Sequence, residues 1–359
     1  MGRHMAEASD KGAARRPRLL FYAMYDPSGL DSAPKVRIAM LGAALEHEAE
    51  IERIQGGRAA RARAGWRWLR GGGIGRVDAV YVESSTSTAT PFYLGLLAWA
   101  RVRRRPVGVY FRDAYQLHRD LFPVRRLRQR VADLAWRITM PMLRRLASVR
   151  FAPSTGLAEV LGLRAAVLLP PGTDPTQPDL GVPGTHLVAA ILAPTAIAGF
   201  DTLREAVEQV RREFPDTRLR MITAVAPGEP LPEWIELRPG GRPTLATLLA
   251  DARVCVIPLP LTRYTDLAVP VRLADLVAFG KPIVVTDSAA TRAYLGSSGA
   301  AMIVADTPGA IAEAIDRIFR DDDLANGLGA RARAFAEAPS STWSGRAATV
   351  ISALLGGAA

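Results

Sequence analysis

Cysteine is nearly absent from this sequence: Cys255, inside RVCVIPL, is the only one in 359 residues. One cysteine closes no internal disulfide, and its apolar flanks read as core packing. Lysine is also scarce, so the positive charge is carried almost wholly by arginine. No apolar run reaches the roughly 18 residues that a membrane-spanning helix needs, and no secretory leader is recognisable. The opening MGRHMAEASDKGAARR reads as an appended tag and loose leader, set aside from the fold. These absences point to a cytosolic protein. A P-loop and a G-x-G-x-x-G are missing, as is any Cys/His cluster with zinc spacing. The acidic run RDDDLANG opens a predicted helix, where aspartates act as caps; no metal is expected.

What is present is a core-forming chain. Hydrophobic residues make up 49% of it, and its length predicts two domains at roughly 100–200 residues each. The net charge is +11, and residues 101–150 alone hold fourteen Arg against three Asp. One reading is a solvated, arginine-rich helix face. The other is a surface for an anionic partner, membrane lipid or polyphosphate. Nucleic acid is not expected, because no aromatic stacking platform or RNA-binding motif accompanies the arginines.

Short β-branched runs alternate with amphipathic stretches throughout. PRLLFYAMYD, AEIERI, VDAVYVES, PVGVYFRDAY and VRFAPS predict strands. KVRIAMLGAALEHE, PFYLGLLAWARVRRR and a basic stretch over about 121–147 predict helices, while GGRAARARAGWRWLRGGGIG reads as a connection. PPGTDPTQPDLGVPG, residues 170–184, is the strongest linker signal. The alternation then restarts and runs to a final helix in STWSGRAATVISALL. Two such runs predict an α/β protein of two doubly wound, Rossmann-like domains, over 17–170 and 185–340. Ligands of such sheets bind beyond the carboxyl ends of the strands, which places the site in the cleft between the domains.

One stretch concentrates chemistry: VPVRLADLVAFGKPIVVTD, residues 269–287. Pro270 opens a predicted helix. The N–H groups from Val271 onward lack intrahelical partners and face an anion well. Arg272 adds a charge suited to phosphate. Asp275 can only accept hydrogen bonds, which suits ribose hydroxyls. The plainer alternative is an i,i+3 ion pair between Arg272 and Asp275. In the first half, Asp113 follows a predicted strand in VYFRDAYQLH and is the best-placed carboxylate for a general base; it could equally pair with Arg112 or Arg119. His118 is a second candidate, with a packing role as its alternative, and Glu83 at the end of VYVES is a third. Ser28 and Gly29, in the first strand-to-helix loop, allow close backbone approach.

The 269–287 stretch resembles glycosyltransferase family 4 and its relatives, whose consensus runs Pro-x-Lys-Leu-x-Glu-Tyr-x-Ala-x-Gly-Lys-Pro-Val-Val. Asp275 falls on the family's Glu and Arg272 on its Lys, while Gly280, Lys281 and Pro282 match directly. The passage into the linker, the AGFDTLREAVEQVRREFP helix and the Trp-containing C-terminal helix agree. The resemblance implies the two-domain GT-B fold, with helix 341–357 crossing back onto the first domain. It implies a nucleotide-diphosphate sugar as substrate, bound by the second domain without a metal. Asp275 would take the ribose, and Val269, Pro270, Val271 and Arg272 would approach the diphosphate. Thr195, Gly199, Asp266, Arg263 and Arg238 complete the expected donor side. Ser28, Gly29, Arg37, Glu83, Arg112, Tyr115 and His118 form the acceptor side.

The sequence also departs from the family. Ala198 stands where a Lys usually precedes the glycine, and 193–198 holds no basic residue. Leu267 stands where a donor-sugar Glu usually lies, with Asp266 the nearest carboxylate. Arg272, Arg263, Arg37 or backbone amides would have to replace the phosphate clamp. The expectation is a glycosyltransferase on the inner face of the plasma membrane, using a lipid-linked or saccharide acceptor in surface polysaccharide assembly. A non-catalytic nucleotide-sugar-binding protein and a sugar-nucleotide epimerase are the rivals on this architecture.

Overall fold

A computed structural model describes residues 15–356, apart from 27, 29–31, 85–88, 125, 192–198 and 224–229. The first half runs β1 (Arg18–Ala23), α1 (Ala33–Glu48), β2 (Glu50–Ile54), α2 (Arg58–Arg70), α3 (Gly73–Arg76), β3 (Ala79–Glu83), α4 (Pro91–Val102), β4 (Val107–Tyr110), α5 (Leu127–Leu146), β5 (Val149–Ala152), α6 (Thr155–Val160) and β6 (Val167–Leu168). These strands form one parallel sheet in the order β2-β1-β3-β4-β5-β6. In β1, Leu20 and Tyr22 face one apolar layer while Leu19, Phe21 and Ala23 face the other. A strand buried on both sides reads as a continuous apolar run, as this one does.

The second half runs β7 (Leu187–Ile191), α7 (Phe200–Val210), β8 (Arg218–Ile222), β9 (Ile235–Arg238), α8 (Leu245–Leu249), β10 (Val254–Ile257), α9 (Val271–Val277), β11 (Ile283–Thr286), α10 (Ala289–Leu295), β12 (Met302–Val304), α11 (Pro308–Arg320), α12 (Asp322–Glu337) and α13 (Trp343–Leu355). Its parallel sheet has the order β12-β11-β10-β7-β8-β9. The sheet runs outward from β7 through β8 to β9, then crosses from β9 back to β10 on the other side of β7, which leaves a switch point between β7 and β10, where such sheets bind ligands. The α/β class with two Rossmann-like halves is therefore the architecture of the chain.

Several elements differ from the sequence reading, among them α2, α3, β9 and α10. The Gly/Arg-rich connection contains α2, thirteen residues long. Its alanines, arginines and leucine are strong helix formers, and the flanking Gly57 and Gly71 bound the helix rather than dissolve it. Another is β9, whose IELR has too short a run to stand out but gains pairing from β8. Asp321 caps α12 by accepting from the Leu324 N–H, and Asp322 pairs with Arg253; the acidic run does what helix-start aspartates do.

The last helix returns to the first half. Trp343, Ala347, Val350 and Leu354 of α13 join the layer made by α1, β1 and β3. Close by, Gly172 packs against the Trp343 backbone, and the Thr173 N–H donates to Ser341 while Trp343 N–H donates to Thr173. The chain therefore crosses between the halves twice, and the two crossings lie side by side.

Candidate functional site

The carboxyl ends of the two sheets face each other, and side chains meet between them. Tyr264, in the β10–α9 loop, donates its hydroxyl to Asp113 Oδ1 at 3.1 Å. Ser154, the N-cap of α6, donates to the Leu267 carbonyl at 2.6 Å. The cleft is closed here by contacts between the halves.

On its first-half side, Asp113 follows β4 as expected. Its other oxygen accepts from Arg112 Nε at 2.5 Å, and both side chains are largely covered. Arg112 also reaches the Tyr25 hydroxyl at 3.4 Å. Tyr115, His118 and Phe122 gather around the Tyr264 ring, with centroids 4.9, 5.6 and 5.2 Å away. Burial, followed by the Asp113 carboxylate, pushes the Tyr264 hydroxyl well above the ordinary tyrosine value. Asp113, Arg112, Tyr115 and His118 thus do share a site, joined by Tyr264, which carried no sequence signal. His118 Nε2 is buried without a hydrogen-bond partner.

Glu83 and Arg37 occupy another place. Their carboxylate and guanidinium form a buried pair at 3.0 Å, with side chains 3% and 2% exposed. The Tyr81 hydroxyl donates to the same carboxylate, and the Arg37 guanidinium lies 3.6 Å over the Tyr110 ring. Arg37 also donates to the Leu169 carbonyl at 3.2 Å. The period of two in β3 turns Glu83 inward beneath α1. The pair is a desolvated joint of the fold, although Arg37 Nη2 is buried without a hydrogen-bond partner among the described residues. Ser28 stays exposed in its loop, its N–H donating to Asp26. Gly29 lies outside the described residues.

On the second-half side, Pro270 is the N-cap of α9 and Val271 its first helical residue. Val269 and Pro270 are buried, and Val271 is partly covered. Arg272 and Asp275 do not pair with each other. Asp275 Oδ1 accepts from Arg242 Nε at 2.9 Å. Arg242 Nη2 donates to Asp174 at 2.9 Å, and Nη1 lies against Met40 Sδ of α1 at 2.8 Å. Asp275 Oδ2 keeps no partner among the described residues. Burial raises the Asp275 carboxyl above its ordinary value, against the pull of Arg242.

Arg272 points instead to the end of β7, where it donates to the Ile191 carbonyl. No carboxylate pairs with it among the described residues. Burial alone brings its guanidinium down to about 10. A cation enclosed with only a carbonyl for company is suited to an anion arriving at that point. The loop that follows, with Thr195 and Ala198, lies outside the described residues. Gly199 ends that loop at φ +97, directly beneath Pro258.

Two expected donor-side residues serve other contacts, and a third stands exposed. Asp266 accepts from the Ala289 N–H at 2.7 Å and so ties its loop to the start of α10. Arg238 is exposed on edge strand β9 and pairs with Glu236. Arg263 is exposed on the β10–α9 loop. Arg242 is the residue that sequence reasoning missed. Its signal was faint: an arginine between the turn residues of RPGGRPT.

Two Rossmann-like halves, each a parallel sheet under helices and facing the other across a cleft, define the class: this chain has the GT-B fold. Residues 185–321 match the family model described as glycosyl transferases group 1. No curated protein matches the sequence. Among solved structures, sucrose-phosphate synthase from Thermosynechococcus elongatus is similar at TM-score 0.62 and 13% identity, over 94% of this chain and 97% of that one. Anabaena HepE in complex with UDP and glucose is similar at TM-score 0.61 and 16% identity, over 94% and 98%. UDP-GlcNAc 2-epimerase from Neisseria meningitidis, bound to UDP-GlcNAc, is similar at TM-score 0.55 and 11% identity, over 94% and 100%.

Proposed function

We propose that this protein transfers a sugar from a nucleotide-diphosphate donor to an acceptor hydroxyl. The observation that carries the reading is the state of α9: among the described residues, Asp275 Oδ2 and Arg272 are both without an opposite partner, and both belong to the half that matches group 1 glycosyl transferases. Asp275 would accept from the ribose hydroxyls, with Arg242 steadying its other oxygen. Arg272 would meet the diphosphate beside Gly199. The bond from the anomeric carbon to the phosphate oxygen breaks as the acceptor oxygen attacks that carbon. The diphosphate leaves with the electron pair, and Arg272 with nearby amides stabilises the charge that develops. No metal is required by this scheme. If configuration inverts, Asp113 takes the acceptor proton, and Tyr264 must first yield its place on Oδ1.

The acceptor in this reading is lipid-linked and lies at the cytoplasmic face of an anionic membrane, as in surface polysaccharide assembly. The arginines of 101–150 support it, since like-charged clusters attract anionic lipid. Epimerases share the fold, and product analysis without acceptor separates the two activities. The decisive test is calorimetry with UDP, GDP, TDP and their sugars on wild type and Asp275→Ala. One nucleotide class should bind, with affinity at least about tenfold weaker in the mutant, the weight of a lost pair of hydrogen bonds to a charged group. Silence across the panel removes the donor site.

A further inference from the structure

The helix α5 carries two apolar faces, and the fold uses only one. Trp136 and Leu143 are buried against the sheet, with Met140 and Leu146 beside them. On the opposite side stand Leu127, Val131, Leu134, Ile138 and Met142, exposed to 76%, 59%, 59%, 58% and 45%. Their spacings of four, three, four and four residues make one continuous stripe on a 3.6-residue helix. Monomeric proteins rarely present such a row without a partner for it. The stripe continues toward the cleft through Leu121 and Phe122, and Phe122 touches Tyr264 at the mouth.

The charge around this stripe identifies what covers it. Arg128, Arg130 and Arg145 are exposed and have no acidic partner among the described residues. Arg119 and Arg137 are held by Asp133 and contribute less. A second copy of the chain would bring these arginines face to face and repel. A bilayer with anionic headgroups accepts both features together, apolar side chains at the acyl boundary and guanidinium groups at the phosphates.

We propose that α5 lies in the plane of an anionic membrane, with its outer stripe inserted, and so seats the cleft mouth at the lipid surface. This deepens the lipid-acceptor reading and takes its purpose from it. Among the described residues no helix is long and apolar enough to cross a membrane, so α5 rests on the surface. The N-terminal end of α5 lies on the cleft side of the sheet, because the helix begins after the carboxyl end of β4. A lipid-linked acceptor would then reach Asp113 by a path along Leu121 and Phe122.

The test is co-sedimentation of the full chain with vesicles of phosphatidylcholine alone and of phosphatidylcholine with phosphatidylglycerol. Binding should appear only with the anionic lipid. The double variant Leu134→Glu, Ile138→Glu should bind at least about tenfold more weakly, given two exposed side chains that bury apolar area on insertion. Arg128→Glu with Arg130→Glu should also weaken binding, and added salt should reduce it. Because the native cysteine is buried, Ile138→Cys can carry an environment-sensitive dye, whose emission should shift to the blue on anionic vesicles. Equal binding of the double variant, or a dye that stays in water, overturns the proposal. So does a lipid-free wild-type dimer that the double variant converts to monomer. Nucleotide calorimetry on the double variant separates the two readings, since lost vesicle binding with intact donor binding concerns α5 alone. Intact vesicle binding by a wild-type chain that binds no nucleotide in the calorimetric panel leaves α5 standing and removes the donor site.

Discussion

Arg272 and Asp275 sit three residues apart, yet each answers to a different neighbour. The backbone turn between them points one side chain to the end of β7 and the other toward Arg242. Arg272 is charged at neutral pH in both folded and unfolded chains, because its folded value is near 10. The folded state therefore carries the whole desolvation cost of that charge there. Arg272→Met should leave the melting temperature unchanged or raise it by a few degrees, since about 1 kcal/mol shifts Tm by roughly 2–4 °C in larger domains. It should also weaken nucleotide binding by at least about tenfold, the effect of one lost charge-assisted hydrogen bond. A melting temperature several degrees lower would make Arg272 a structural residue and end its role as an anion partner.

At the scale of elements, two glycines bound the helices α7 and α9. Gly280 closes α9 at φ +65, where an added Cβ would overlap Asp179. Beside it Lys281 is fully buried and donates to the Ala250 carbonyl at 3.0 Å, so the Gly-Lys-Pro stretch is a structural clasp between α9 and β11. Gly199 opens α7 at φ +97, and a Cβ there would overlap the Pro258 carbonyl oxygen. The overlap is with backbone, which cannot swing aside. Gly199→Ala should lower stability by about 2 kcal/mol or more, from left-handed backbone strain together with the clash. Denaturant unfolding checks it; a loss under about half a kcal/mol would mean the loop simply opens, and the site geometry around Pro258 would need redrawing.

At the scale of the molecule, the final helix belongs to the first half of the chain. Leu354 is 4% exposed and packs in the layer under β1 and β3, with Gly108 of β4 close to its methyl group. Leu354→Ala should destabilise by about 2–4 kcal/mol, as for a buried leucine that leaves a cavity. Hydrogen exchange should place the loosening in α1 and β3, far away in sequence. Loosening confined to α12 and α13 would show that the return helix is only draped on the surface. The Tyr264–Asp113 and Arg242–Met40 contacts bridge the same two halves at the cleft, so opening the cleft would break both.

The sequence by itself determined the class of fold, because strands buried on both faces and helices with one apolar stripe write period and length directly into the residues. It also determined the α9 stretch, where Pro270, Gly280 and Pro282 act through local backbone geometry. It located Asp113 at a strand end for the same reason. Only the tertiary structure decided that Glu83 and Arg37 pair, since residues forty-six apart met through the packing of α1 on the sheet. Arg242, Tyr264 and the unpartnered face of α5 became visible only there as well. A surface stripe and a core stripe have the same period, and packing alone tells them apart.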